Sequence, residues 1–76
     1  MSRWIPCKRR NFIKKLMKLG FNQPEPGAKH FYMRYGTYTL TIPNNTEYSV
    51  PQLKMLLKEI ETVLKREFPL EEWQKL

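Results

Sequence analysis

The sequence predicts a two-layer α+β domain in the order α-β-β-(β)-α, with a short helix added near the C-terminal end. Three patterns predict it. Apolar residues recur at helical spacing over 7–19 and again over 53–64, and between them two strand-like alternations flank Gly36. The chain has 76 residues, which holds one domain, residues 1–76, with a modest core.

Pro6 is expected to open the first helix, because its missing N–H would be unpaired in a first turn anyway. Phe12, Ile13, Leu16, Met17 and Leu19 fall within one broad arc, and Lys8, Arg10, Lys14, Lys15 and Lys18 fall opposite. Gly20 suits the position just past the helix, and the lysines of the last turns complement the negative end of the helix dipole. Residues 22–29, with Pro24, Pro26 and Gly27, are expected to form an extended loop.

From His30 to Tyr35, and again from Tyr38 to Ile42, alternate residues change character, as in a hairpin turning at Gly36. With Phe31, Met33, Leu40 and Ile42 facing the core, His30, Tyr32, Arg34, Thr39 and Thr41 share the open face. Pro43 ends the second strand, and a third short edge strand is weakly signalled near Thr46–Tyr48. Ser49 followed by Gln52 forms a capping-box pattern. The helix it opens carries Leu53, Leu56, Leu57, Ile60, Val63 and Leu64 on one face, with a Glu61–Lys65 pair on another. Phe68 precedes Pro69, so that helix is expected to stop by there, and Pro69–Trp73 reads as one or two further turns that dock Trp73 on the core.

The net charge is +7, from 14 basic and 7 acidic residues, and it is unevenly placed. Residues 1–36 hold nine basic residues and Glu25 alone, a net +8, whereas residues 37–76 hold five basic and six acidic residues. Concentrated positive charge attracts polyanions, and phosphate backbones above all, through counterion release; an anionic membrane surface is the competing reading. A solvated face is the ordinary explanation of a charged helix surface, but such faces mix signs, and no acid occurs before Glu25.

Other classes are excluded. The longest apolar runs are three residues, far below the roughly 20 needed to span a bilayer. The first residues contain no apolar stretch of secretory-signal length, and the single Cys7 allows no internal disulfide. A cytoplasmic protein without membrane association is therefore expected. One cysteine and one histidine cannot complete a zinc site, and the first half lacks the clustered carboxylates of two-metal nucleases, so neither metal nor cofactor is expected. A Cys7–His30 nucleophilic pair lacks an orienting third group.

His30, the single histidine, lies in the most basic part of the chain, beside Lys29 and two residues from Tyr32. An imidazole exchanges protons near neutral pH. RNA carries its own nucleophile, the 2′-hydroxyl, so a histidine and a few cations suffice for its cleavage. His30 is accordingly the candidate general acid or base, Lys29 or Arg34 the candidate for charge stabilisation, and Tyr32 a candidate for base stacking or proton donation. Glu25, a loop carboxylate, either orients His30 or is simply solvated. Two alternatives use the same basic helix: a non-catalytic RNA-binding module, which reads A-form shape and phosphates and needs no histidine, and a basic interaction protein whose partner is acidic.

The run Lys8-Arg9-Arg10-Asn11-Phe12-Ile13-Lys14-Lys15-Leu16, followed by Leu19-Gly20-Phe21, resembles the first helix of the HicA toxins of bacterial toxin–antitoxin systems. Gly27-Ala28-Lys29-His30-Phe31-Tyr32 resembles their Gly, small residue, spacer and strand-opening His. Leu40-Thr41-Ile42-Pro43 is similar to their second strand and Ser49–Leu57 to their second helix, so the likeness runs from Pro6 to Trp73. It implies a double-stranded-RNA-binding-domain-like fold and endoribonuclease activity on messenger RNA, with His30 catalytic; the lack of metal-ligand clusters makes that activity metal-independent by expectation. RNA contacts are then expected from Lys8, Arg9, Arg10, Lys14, Lys15, Lys18, Gly27, Lys29, Tyr32 and Arg34. It also implies a HicB-like antitoxin that masks the site, and the free protein is expected to be a monomer. Ala28 stands where a Ser or Thr is common in that family, and the second helix is longer than usual, reaching toward Arg66.

Overall fold

The computed structural model describes residues 3–76. In chain order the elements are β1 (Cys7–Lys8), α1 (Arg9–Lys18), β2 (Glu25–Pro26), β3 (Phe31–Tyr35), β4 (Tyr38–Ile42), β5 (Glu47–Tyr48), α2 (Val50–Leu64) and α3 (Leu70–Lys75). The α+β class is as the sequence predicts, with three helices and antiparallel sheets.

Pro6 does not open the first helix. The chain stays extended through β1, which pairs antiparallel with β5, Cys7 opposite Tyr48 and Lys8 opposite Glu47. The pairing buries the Cys7 and Tyr48 side chains. It also brings the Thr46 carbonyl to the Arg9 N–H (2.9 Å), which satisfies a helix-terminal donor that no side chain caps. The expected strand near Thr46–Tyr48 thus exists, but in a separate two-stranded sheet with β1.

The main sheet has the order β2-β3-β4. Its third strand comes from the segment expected to be loop, and it precedes the hairpin instead of following it. Pro26 tolerates this place because an edge strand need not donate on its outer side. In the hairpin, Tyr35 pairs with Tyr38 across a two-residue turn, with Gly36 at φ 60 in the first loop position, as a type II′ turn requires. The register sets Phe31, Met33 and Tyr35 opposite Ile42, Leu40 and Tyr38, and Tyr32 and Arg34 opposite Thr41 and Thr39. The first set faces the core and the second the open side, as the alternation predicts. Met33, Leu40 and Ile42 are fully buried; Phe31, at the rim, stays 38% exposed.

Against this face lie Phe12 and Leu16 of α1 and Leu53, Leu56, Leu57 and Ile60 of α2, with Phe21, Phe68 and Trp73 closing the same core. Met17, on the edge of the apolar arc of α1, is only partly covered. Ser49 caps α2 by accepting from the Gln52 N–H (3.4 Å), but Gln52 does not complete the box: its side-chain amide donates to Asn45 Oδ1 (3.3 Å). Glu61 does not pair with Lys65 either. Its carboxylate accepts from the Phe68 N–H (2.6 Å), and Lys65 is taken up as the left-handed residue that ends α2. The helix therefore stops short of Arg66.

Candidate functional site

Gly27–His30 link β2 to β3 as a four-residue turn, closed by the Gly27 N–H donating to the His30 carbonyl (2.9 Å). The strand begins only at Phe31, so His30 completes the turn and does not open the strand, and its side chain is exposed. The turn is held from two sides. On one, the Tyr32 ring lies so close that a Cβ on Gly27 would come within 2.0 Å of its Cε2. On the other, Asn44 Nδ2 donates to the Lys29 carbonyl (3.0 Å) while the Asn44 carbonyl accepts from Arg9 Nη1 (2.9 Å). One asparagine thereby ties the histidine turn to the first residue of α1.

Arg34 is otherwise engaged. Its Nε donates to Glu25 Oε2 at 2.8 Å, an exposed pair on the open face two strand positions beyond Tyr32. Glu25 is thus neither the orienting partner of His30 nor merely solvated, and the Arg34 charge is offset where Lys29 and Arg9 stand by the turn. Among the described residues, no three of His, Cys, Asp and Glu come together in a way that would hold a metal ion.

The remaining cations of the basic helix lie elsewhere. Lys8, Arg10, Lys14, Lys15 and Lys18 line a groove of about 590 Å³ between α1, α3 and the segment before β1. Lys15 is its structural member. Its Nζ donates to the Trp73 carbonyl (2.7 Å) and the Leu76 carbonyl (3.3 Å), and stands 5.1 Å from the centre of the Trp73 ring. A cation there satisfies the orphan carbonyls at the end of α3. Burial lowers its pKa, the nearby Cys7 opposing and Lys18 assisting. At Cys7, burial pushes the thiol up more than Lys15 pulls it down, which suits a packed side chain and not a nucleophile. Comparison with protein-family models, with curated proteins and with solved structures finds no match for this chain.

The predicted site residues therefore divide into three groups. Gly27, Lys29, His30, Tyr32 and Arg9 gather at the turn. Arg34 lies along the sheet with Glu25. Lys8, Arg10, Lys14, Lys15 and Lys18 flank the groove, to which the turn contributes no lining residue. Asn44 assembles the first group, yet in the sequence its position after Pro43 signals only a turn. No described helix is long and apolar enough to cross a membrane.

Proposed function

We propose that this protein is an endoribonuclease of messenger RNA with His30 as its general acid/base, acting without a metal ion, and that it serves as the toxin of a toxin–antitoxin pair. The observation that carries the reading is the turn itself. An exposed imidazole stands on a four-residue turn that Gly27, Tyr32 and Asn44 hold in place; Lys29 belongs to that turn and Arg9 is tied to it through Asn44. Neutral imidazole accepts the proton of a ribose 2′-hydroxyl. The freed oxygen attacks the adjacent phosphorus, and the 5′-oxygen leaves with a proton from the medium. Lys29 and Arg9 offset the charge that builds on the phosphoryl oxygens. Lys14, Lys18 and Arg10, exposed on α1, draw RNA in over a longer range.

The HicA resemblance supports this reading through the Gly27-Ala28-Lys29-His30 segment and implies a HicB-like antitoxin as protein partner. The helices over an antiparallel sheet agree with a double-stranded-RNA-binding-domain-like fold at the level of class.

The deciding experiment incubates purified protein and its His30→Ala variant with messenger RNA in EDTA. Because His30 is exposed, the variant should fold and bind RNA as before, and cleavage should fall by about 100-fold or more, the usual contribution of a general base. Equal cleavage by both proteins would remove His30 from the chemistry. Intact RNA with retained binding by the unmodified protein would leave the non-catalytic RNA-binding module as the function.

A further inference from the structure

We infer that the groove between α1, α3 and residues 4–8 is a docking site for an acidic peptide segment that carries an apolar anchor side chain. The inference does not rest on cleavage at His30. Lys8, Arg10, Lys14 and Lys18 form its rim, all of them exposed, with Glu47 the one acidic residue in its lining. Its apolar wall is incomplete: Ile5 lines the groove and remains 58% exposed. An isoleucine held open inside a cationic rim has no use for a phosphate. It fits a ligand that brings negative charge and an apolar group together.

Three features favour peptide over nucleic acid. Trp73 is buried in the core, so its ring offers no open face to a base. Trp4 already carries the Lys54 ammonium 6.0 Å from its ring centre, which occupies a stacking position. The amine of Lys15 is spent on the α3 carbonyls, and Glu47 opposes a polyphosphate track. Acidic side chains on a short peptide can meet the rim lysines one by one and avoid Glu47, while a leucine or similar residue covers Ile5.

Trp4 and Trp73 are the only tryptophans of the chain, and both line the groove, so intrinsic fluorescence reports its occupancy directly. The whole protein is titrated with an acetylated helical peptide bearing leucines on one face and glutamates on the other. A saturable change in tryptophan emission is expected. Ile5→Ser should weaken it about tenfold, the loss expected for one buried aliphatic anchor. Lys14→Glu and Lys18→Glu together should weaken it at least as much and each alone measurably, and Lys58→Glu, the same charge change as either single variant but on the exposed side of α2, should leave it unaltered. The proposal fails if the peptide gives no saturable change, or if Ile5→Ser binds it equally well. It also fails if polyglutamate without leucine binds as tightly, or if a polyuridine oligonucleotide produces the change and the peptide does not, which would give the groove to nucleic acid.

Discussion

Two glycines of the sheet are required for different reasons, and the difference predicts how each responds to a methyl group. At Gly36 nothing lies within 4 Å of an added Cβ, and only the backbone, at φ 60, resists substitution. At Gly27 the resistance is contact: a Cβ would stand 2.0 Å from Tyr32 Cε2 and 2.6 Å from the His30 carbonyl oxygen. A Tyr32 ring can swing away, but the His30 carbonyl is backbone and is also the acceptor that closes the turn. Gly27→Ala is therefore expected to cost about 1–3 kcal/mol, the range for overpacking, to open the turn that carries His30, and to reduce RNA cleavage. Gly36→Ala is expected to cost about 1 kcal/mol through backbone strain alone and to leave RNA cleavage intact. Urea midpoints and a cleavage assay on both variants check this, and equal cleavage losses would refute it.

The two long helices end in contrasting ways. After α1, Gly20 at φ 111 lets its own N–H reach the Met17 carbonyl and the Phe21 N–H reach the Leu16 carbonyl, both at 3.1 Å, a complete Schellman motif with Leu16 and Phe21 buried together. After α2 the left-handed position falls on Lys65, φ 56, where a side chain crowds the next carbonyl. Lys65→Gly should relieve that crowding and stabilise the fold by about 1 kcal/mol, a rise in Tm of about 4–8 °C for a domain of this size. A calorimetric scan showing no rise would mean that α2 does not end as described. The same contrast explains what could be read in advance. Helical stripes, the Gly20 stop, the Ser49 cap and the Gly36 hairpin are local patterns, and each lies where the sequence predicts it. β1 and β2 are two residues long and have no periodicity to read, and β5 is only weakly signalled; β1 and β5 exist because Cys7 and Tyr48 meet across the chain, and β2 because the turn at Gly27–His30 folds Glu25 back onto Tyr32. The site divides likewise. Lys29, His30 and Tyr32 are near neighbours in sequence, whereas Asn44 joins Arg9 and Lys29 across separations of 35 and 15 residues that no spacing rule reveals.

For the molecule as a whole, the residue that joins the two sheets to the helices is Tyr48. Its ring meets Phe12 edge-on at 5.3 Å, its strand pairs with β1, and its hydroxyl donates to the Pro43 carbonyl at 2.7 Å. Burial, above all, pushes its pKa up to about 12, Arg9 working against the rise and Cys7 with it. Tyr38 is also raised to about 12, by burial and then by its hydrogen bond to Glu59. A phenol whose pKa is higher folded than unfolded, where it is about 10, favours the native state while it stays neutral. That stabilisation is complete below about pH 10 and is lost as pH climbs from about 10 toward 12. Lysines titrate over the same interval and relieve the self-repulsion of a +7 chain, so the absolute stability curve mixes opposing effects. The difference between the protein and Tyr48→Phe isolates one of them. At neutral pH the variant should be less stable by about 1 kcal/mol for the lost hydrogen bond. Above about pH 10 the unmodified protein loses the Tyr48 contribution and the variant has none to lose, so the gap should narrow and then reverse. Urea midpoints measured from about pH 8 to pH 12 follow that gap. Parallel curves would show that the Tyr48 phenol ionises as readily in the folded protein as in the unfolded chain.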